Sequence, residues 1–121
     1  MDALVQLTWR VYDILDDAAR AHDLSTSQLR LLGILRDREP EMLELAGHLG
    51  VDKSSVSGLV DRAAARGLVE RVPSATDRRR IAVRLTEAGR AQREILETEI
   101  YTAIDRAGLT LPPGARSTVT P

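Results

Sequence analysis

Residues 52–85 read DKSSVSGLVDRAAARGLVERVPSATDRRRIAVRL, and this stretch decides the fold. It has three parts. Val56, Leu59, Val60, Ala63 and Gly67 recur at helical spacing, which predicts one buried helix face. Ser54, Ser55, Ser57, Gly58, Asp61 and Arg62 fall on the opposite face, which is small and polar. LVERV and IAVRL then read as two short strands, with Ile81, Val83 and Leu85 alternating against Ala82 and Arg84. Between them PSATDRRR carries turn residues and three consecutive arginines. A helix with a slim hydroxyl-rich face, followed by an arginine-tipped hairpin, suits two adjacent grooves of duplex DNA. The helix would enter the major groove, and the hairpin would reach a minor groove or the neighbouring backbone.

Upstream, Gly50-Val51-Asp52 reads as a turn with Asp52 as the N-cap of the next helix. Residues 42–49 read as a short helix with Met42, Leu45, Ala46 and Leu49 inward. A short helix, a glycine turn and a helix with a polar outer face form a helix-turn-helix pattern. Before it, Ser25 and Gln28 form a capping box with Leu24 in front. They start a helix to about Arg36, with Leu29, Leu32 and Leu35 inward. Residues 2–22 read as a long helix with two apolar stripes. One contains Leu4, Leu7, Val11, Ile14 and Ala18, the other Val5, Trp9, Tyr12 and Ala19. One stripe can cover the domain while the other meets a partner helix, or both can form a single wide core face.

Downstream, Thr86 is a natural N-cap for a helix to about Ala107, with Ile95, Leu96, Ile100, Ala103 and Ile104 inward and Gly108 as its stop. The tail from 108 to 121 reads as irregular. The chain thus reads as one domain of 121 residues, mainly α with a small β-hairpin wing. A winged helix-turn-helix core over 24–85 would be flanked by dimerisation helices at 2–22 and 86–107. A core of this size is modest, which favours a homodimer.

The net charge of −1 is unremarkable for the whole chain but uneven along it. Residues 53–93 hold ten basic and four acidic residues, a net of +6, against −7 for the remainder. Such a basic segment is the footprint of a nucleic-acid binder, although a charge run can also be a solvated face. There is no cysteine, which excludes disulfides, thiol switches and thiolate metal sites. No apolar run is long enough to span a membrane and the N-terminus is not a signal peptide, so no membrane partner and a cytoplasmic location are expected. His22 and His48 lie in separate segments and read as surface or helix-end residues rather than metal ligands. No phosphate loop or nucleophile motif is present, so no catalytic residue, cofactor or metal is expected.

The run LAGHLGVDKSSVSGLVDRAAARGLVERVPSATDRRRIAVRLTEAG, residues 45–89, resembles the MarR family of winged helix-turn-helix transcription regulators. The resemblance extends weakly over 4–107. It implies a homodimeric regulator, a repressor, on a pseudo-palindromic double-stranded DNA operator. It also implies a small aromatic or anionic effector held between the dimerisation and DNA-binding parts. Carried onto this sequence, it assigns DNA contact to Lys53, Ser54, Ser55, Ser57 and Arg62 of the recognition helix. In the wing, Asp77 would orient Arg79 into the minor groove, with Arg78 and Arg80 near phosphates. The effector would sit between the first helix, the second helix and the helix after the wing. Trp9, Arg10 and Tyr12 are the candidate lining residues, with interface packing as the competing role for the two aromatics. Two departures stand out. Gly58 lies where many members carry a larger polar or basic residue, and the final dimerisation helix is missing or cut short. The alternative from another class is a winged-helix protein-protein interaction module that does not bind DNA.

Overall fold

The computed structural model describes residues 2–109; the expected tail beyond Leu109 lies outside them. Five helices and one hairpin follow in order: α1 Ala3–Ala21, α2 Thr26–Ile34, α3 Met42–Leu49, α4 Lys53–Ala65, β1 Val69–Pro73, β2 Ile81–Leu85 and α5 Glu87–Arg106. The fold is a winged helix-turn-helix with α1 and α5 alongside it.

Local chemistry sets most of the boundaries. Asp2 caps α1, accepting from the Leu4 N–H at 2.7 Å. At α2 the capping box is complete, with the Gln28 N–H donating to Ser25 Oγ and the Ser25 N–H to Gln28 Oε1. Asp52 accepts from the Ser55 N–H at 2.8 Å, and Thr86 Oγ1 from the Gly89 N–H at 3.0 Å. Each cap satisfies an otherwise orphaned donor of a first helical turn.

The core is aliphatic. Leu31, Leu32, Leu45, Val56, Val60, Val83 and Leu96 are its largest fully buried side chains. Leu31 was not among the positions expected inward on α2. It is buried because α2 packs against α1, α3, α4 and α5 and so needs more than one apolar stripe. Leu29 is only half-buried.

Three other expectations are corrected. Gly67 is not on the buried face of α4. The helix ends at the Arg66 cap, and Gly67 turns the chain in the left-handed region at φ 73°, where a side chain would be strained. The strand alternation is also broken, because Ala82 is buried beside Val83 and Leu85 while Ile81 is exposed. A short bridge from Glu41 to Ala82 and a hydrogen bond from the Val83 N–H to Pro40 O cover β2 on its second edge. On α5, Leu96, Ile100 and Ile104 face the core, but Ile95 points to solvent.

The two strands are antiparallel, pairing Val69 with Leu85 and Pro73 with Ile81. Arg84 Nε meets Glu70 Oε1 at 2.7 Å across the pair. Where α5 begins, Gly89 presses on the turn after α4. A Cβ there would stand 1.9 Å from Leu68 O. The Thr86 N–H donates to the same oxygen at 3.1 Å, and Thr86 Oγ1 donates to Gly67 O at 2.6 Å. These contacts explain two residues of the LTEAG run: the threonine and the glycine dock α5 onto the α4–β1 junction. No helix among the described residues is long and apolar enough to cross a membrane.

Candidate nucleic-acid interface

The seven residues Ser74–Arg80 connect β1 to β2, closed by the Ser74 N–H donating to Arg80 O at 2.9 Å. Asp77 organises this tip. Its Oδ1 accepts from the Arg79 N–H at 3.0 Å and from Arg79 Nε at 3.1 Å, while its Oδ2 accepts from Arg79 Nη2 at 3.2 Å. The hydrogen bonds from the Arg79 side chain, then from its backbone N–H, hold the Asp77 carboxyl below the usual carboxylate range. The Arg79 side chain is nevertheless 91% exposed, so its other donors face outward.

Arg80, expected near phosphates, also has a partner within the fold. Its Nη1 donates to Glu41 Oε2 at 3.2 Å. Glu41 Oε1 also accepts from Ser74 Oγ at 2.8 Å and Thr76 Oγ1 at 3.1 Å. These bonds, Ser74 first and Arg80 next, lower the Glu41 pKa. Glu41 thus pins both ends of the wing loop to the start of α3, and Arg80 is a brace as well as a surface cation. Sequence reasoning missed Glu41, which sits in a connector 33 residues from Ser74. Its only local signature was the Glu at 44 that completes a cap with it.

On α4 the outer face carries Lys53, Ser54, Ser55 and Arg62 exposed and Ser57 half-buried. Ser54 Oγ donates to Asp52 Oδ1 at 2.9 Å. The Ser55 N–H, followed by the Ser54 and Ser55 hydroxyls, keeps the Asp52 carboxyl below its ordinary range. Asp61 is taken up by Arg71 of β1, whose Nη2 donates to its Oδ1 at 2.6 Å. Gly58 also has a local consequence: a Cβ there would lie 3.3 Å from Arg62 Nη1, so the guanidinium of Arg62 spreads across the space the glycine leaves. Among the described residues Lys53, Arg62 and Arg78 make no ion pair and are exposed.

Behind the helix-turn-helix, a cavity of about 780 Å³ opens between α1, α2 and α5, the junction expected for an effector. Of the three candidate lining residues only Tyr12 is on its wall. Trp9 packs edge-on against Tyr12, with centroids 6.2 Å apart, and is itself exposed. Arg10 reaches the other way, donating to Ala107 O at the end of α5 at 3.3 Å. The wall instead draws on Leu15, Leu29, Ile34, Leu96, Ile100 and Tyr101, with Arg30, Arg93 and Glu97 as its charged members. The α5 contribution was readable in principle: 93, 96, 97, 100, 101 and 104 share one helical face. Elsewhere, Arg66 at the end of α4 donates to Asp23 O at 2.5 Å and His22 O at 3.1 Å, closing the end of α1 onto the end of α4. His22 itself pairs with Glu99 of α5 at 2.8 Å. Among the described residues no group of three His, Asp or Glu is placed to hold a metal.

Comparison with known proteins agrees with this architecture. A family model described as MarR family matches residues 22–80. The transcriptional repressor NicR of Pseudomonas putida is 41% identical over 69 residues, covering 56% of this chain and 44% of that protein. The repressor YetL of Bacillus subtilis is 28% identical over 95 residues, covering 76% and 57%. The chain therefore spans about half the length of these curated relatives. Among solved structures, RV1404 from Mycobacterium tuberculosis superposes with a TM-score of 0.80 at 29% identity, over 95% of this chain and 80% of that one.

Proposed function

The chain belongs to the MarR family by its winged helix-turn-helix, and from that premise we propose that it is a sequence-specific, double-stranded-DNA-binding transcriptional repressor. It acts as a homodimer on a pseudo-palindromic operator and responds to a small ligand. The observation that carries the reading is Arg79, fixed in direction by Asp77 yet almost wholly exposed at the wing tip. A guanidinium aimed in advance loses little entropy on docking into a narrow, strongly negative minor groove. Lys53, Ser54, Ser55, Ser57 and Arg62 present the recognition helix to the major groove, with Arg78 toward the phosphates. The names of the matched repressors support the same direction.

A homodimer through α1 and α5 is supported by Leu4, Val5, Trp9 and Ile95, which leave an apolar surface exposed on those two helices. Ligand response is supported by the cavity, whose volume is that of a small-molecule site. The basic wing and recognition helix act against the alternative of a protein-binding module. Gel shifts with genomic duplex fragments at two salt concentrations test the reading. Salt-sensitive retention of selected fragments is expected, and sequencing the selected DNA then yields the operator. No retention of any fragment at low salt refutes it.

A further inference from the structure

The cavity between α1, α2 and α5 has an uneven inventory of charge. Its surface is mostly aliphatic, and Arg30, Arg93 and Glu97 are the charged residues on it. Arg93 Nη1 is ion-paired with Glu97 Oε1 one turn along α5, and the two side chains are only 11% and 20% exposed. Arg30 turns its guanidinium toward the end of α3, with Nη2 donating to His48 O at 2.9 Å and Nη1 to Leu49 O at 3.3 Å. One cation is therefore compensated by a carboxylate, and the other is directed at the carbonyl oxygens of a helix terminus.

We propose that this cavity selects an uncharged, apolar ligand that carries a hydrogen-bond acceptor, such as an aryl amide, ketone or ester, and that Glu97 is the residue that rejects carboxylates. The proposal rests on the reading of the cavity as an effector site. A carboxylate entering an aliphatic cavity sheds water and needs an uncompensated cation to offset the loss. Beside Arg93 it would also stand beside Glu97, so attraction and repulsion largely cancel. A neutral acceptor meets no such repulsion. Arg93 Nε is enclosed and has no hydrogen-bond partner among the described residues, so a small shift of the side chain toward the cavity would offer a ligand oxygen a donor. A buried N–H without a partner is costly, and a ligand oxygen placed there would satisfy it.

The test is calorimetric titration of the full chain with 2-naphthamide and 2-naphthoate, which share ring and shape and differ in charge. Wild-type protein is expected to bind the amide about tenfold tighter or more. Glu97→Gln leaves Arg93 uncompensated and should shift the ratio toward the carboxylate by about tenfold. Arg93→Gln leaves Glu97 uncompensated and should raise the preference for the amide; it carries the test where melting shows that Glu97→Gln does not fold. Tighter binding of the carboxylate to wild type, or a ratio that neither variant moves in these directions, overturns the charge argument and leaves the cavity as a ligand site. Absence of binding by both compounds overturns the proposal together with the effector reading on which it rests.

Discussion

The guanidinium of Arg79 donates to both carboxylate oxygens of Asp77, at 3.1 and 3.2 Å, while 91% of the arginine side chain remains open to solvent. The carboxylate aims the arginine without covering it. Arg79→Ala is expected to weaken operator binding by about 1–3 kcal/mol, roughly tenfold to a hundredfold. It should also lower the salt dependence by about one phosphate equivalent. Asp77→Ala should give a smaller loss, because it frees the arginine rather than removing it. Binding isotherms across a salt series, with thermal melts alongside, separate this from a mere brace of the turn. A folded Arg79→Ala protein with wild-type affinity and slope would show that the wing arginine does not contact DNA.

The pairing has a defined pH window. Asp77 has a folded pKa below its ordinary value of 3.8. Its contribution is therefore complete above that value and is lost only as pH falls through the lower, folded one. Glu41 follows the same sign from 4.5. Wild-type melting temperature is expected to drop below about pH 4.5, and Glu41→Gln to lower it at neutral pH while flattening that acid decline. Glu41→Gln should also weaken operator binding, although it removes a negative charge near the DNA, because the wing loop loses its anchor to α3. Operator affinity equal to or above wild type would show that wing placement does not depend on Glu41.

Two glycines are expected to respond in opposite ways to alanine. At Gly89 the new methyl would collide with Leu68 O, a backbone atom that cannot yield cheaply. Gly89→Ala should destabilise by at least about 2 kcal/mol in denaturant unfolding. At Gly58 the methyl meets only the mobile end of Arg62. Gly58→Ala should stabilise by about 0.5–1 kcal/mol through helix propensity and yet reduce operator affinity, because it displaces the Arg62 guanidinium. Unchanged affinity would mean that Arg62 has no part in the complex.

The Ser54 hydroxyl donates its one hydrogen bond to Asp52 Oδ1 at 2.9 Å. Toward DNA its hydroxyl is then an acceptor, suited to the amino group of adenine or cytosine and not to a phosphate. Ser54→Ala should narrow the gap between operator and random DNA while leaving the salt slope unchanged. An operator-to-random ratio equal to wild type would show that Ser54 reads no base.

Features carried by a local rule were legible in the sequence. Ser25 with Gln28, Asp52 and Thr86 announced three helix starts, because a cap needs only its own first turn. The DRRR run announced the wing. Long-range packing hid the rest. Ala82 is buried because Pro40 and Glu41 approach from another part of the chain, and no alternation within β2 encodes that. Trp9 and Tyr12 share one stripe, but the cavity opens on only one side of it, so Tyr12 lines the wall and Trp9 does not. Arg93 and Glu97 stand one turn apart on α5, and nothing in that spacing says that they line a cavity beneath α1 and α2.

The docking of Gly89 and Thr86 against Leu68 turns α5 into a lever with a welded joint. Its 20 residues span about 30 Å, one end fixed to the winged helix-turn-helix head. Were two chains joined along the outer parts of α1 and α5, a tilt of about 5° would swing that head by about 3 Å, close to the rise of one base pair. Leu96 and Ile100, on the cavity wall, sit near the lever's middle. A molecule wedged there could put two recognition helices out of phase with their half-sites while leaving each head internally intact.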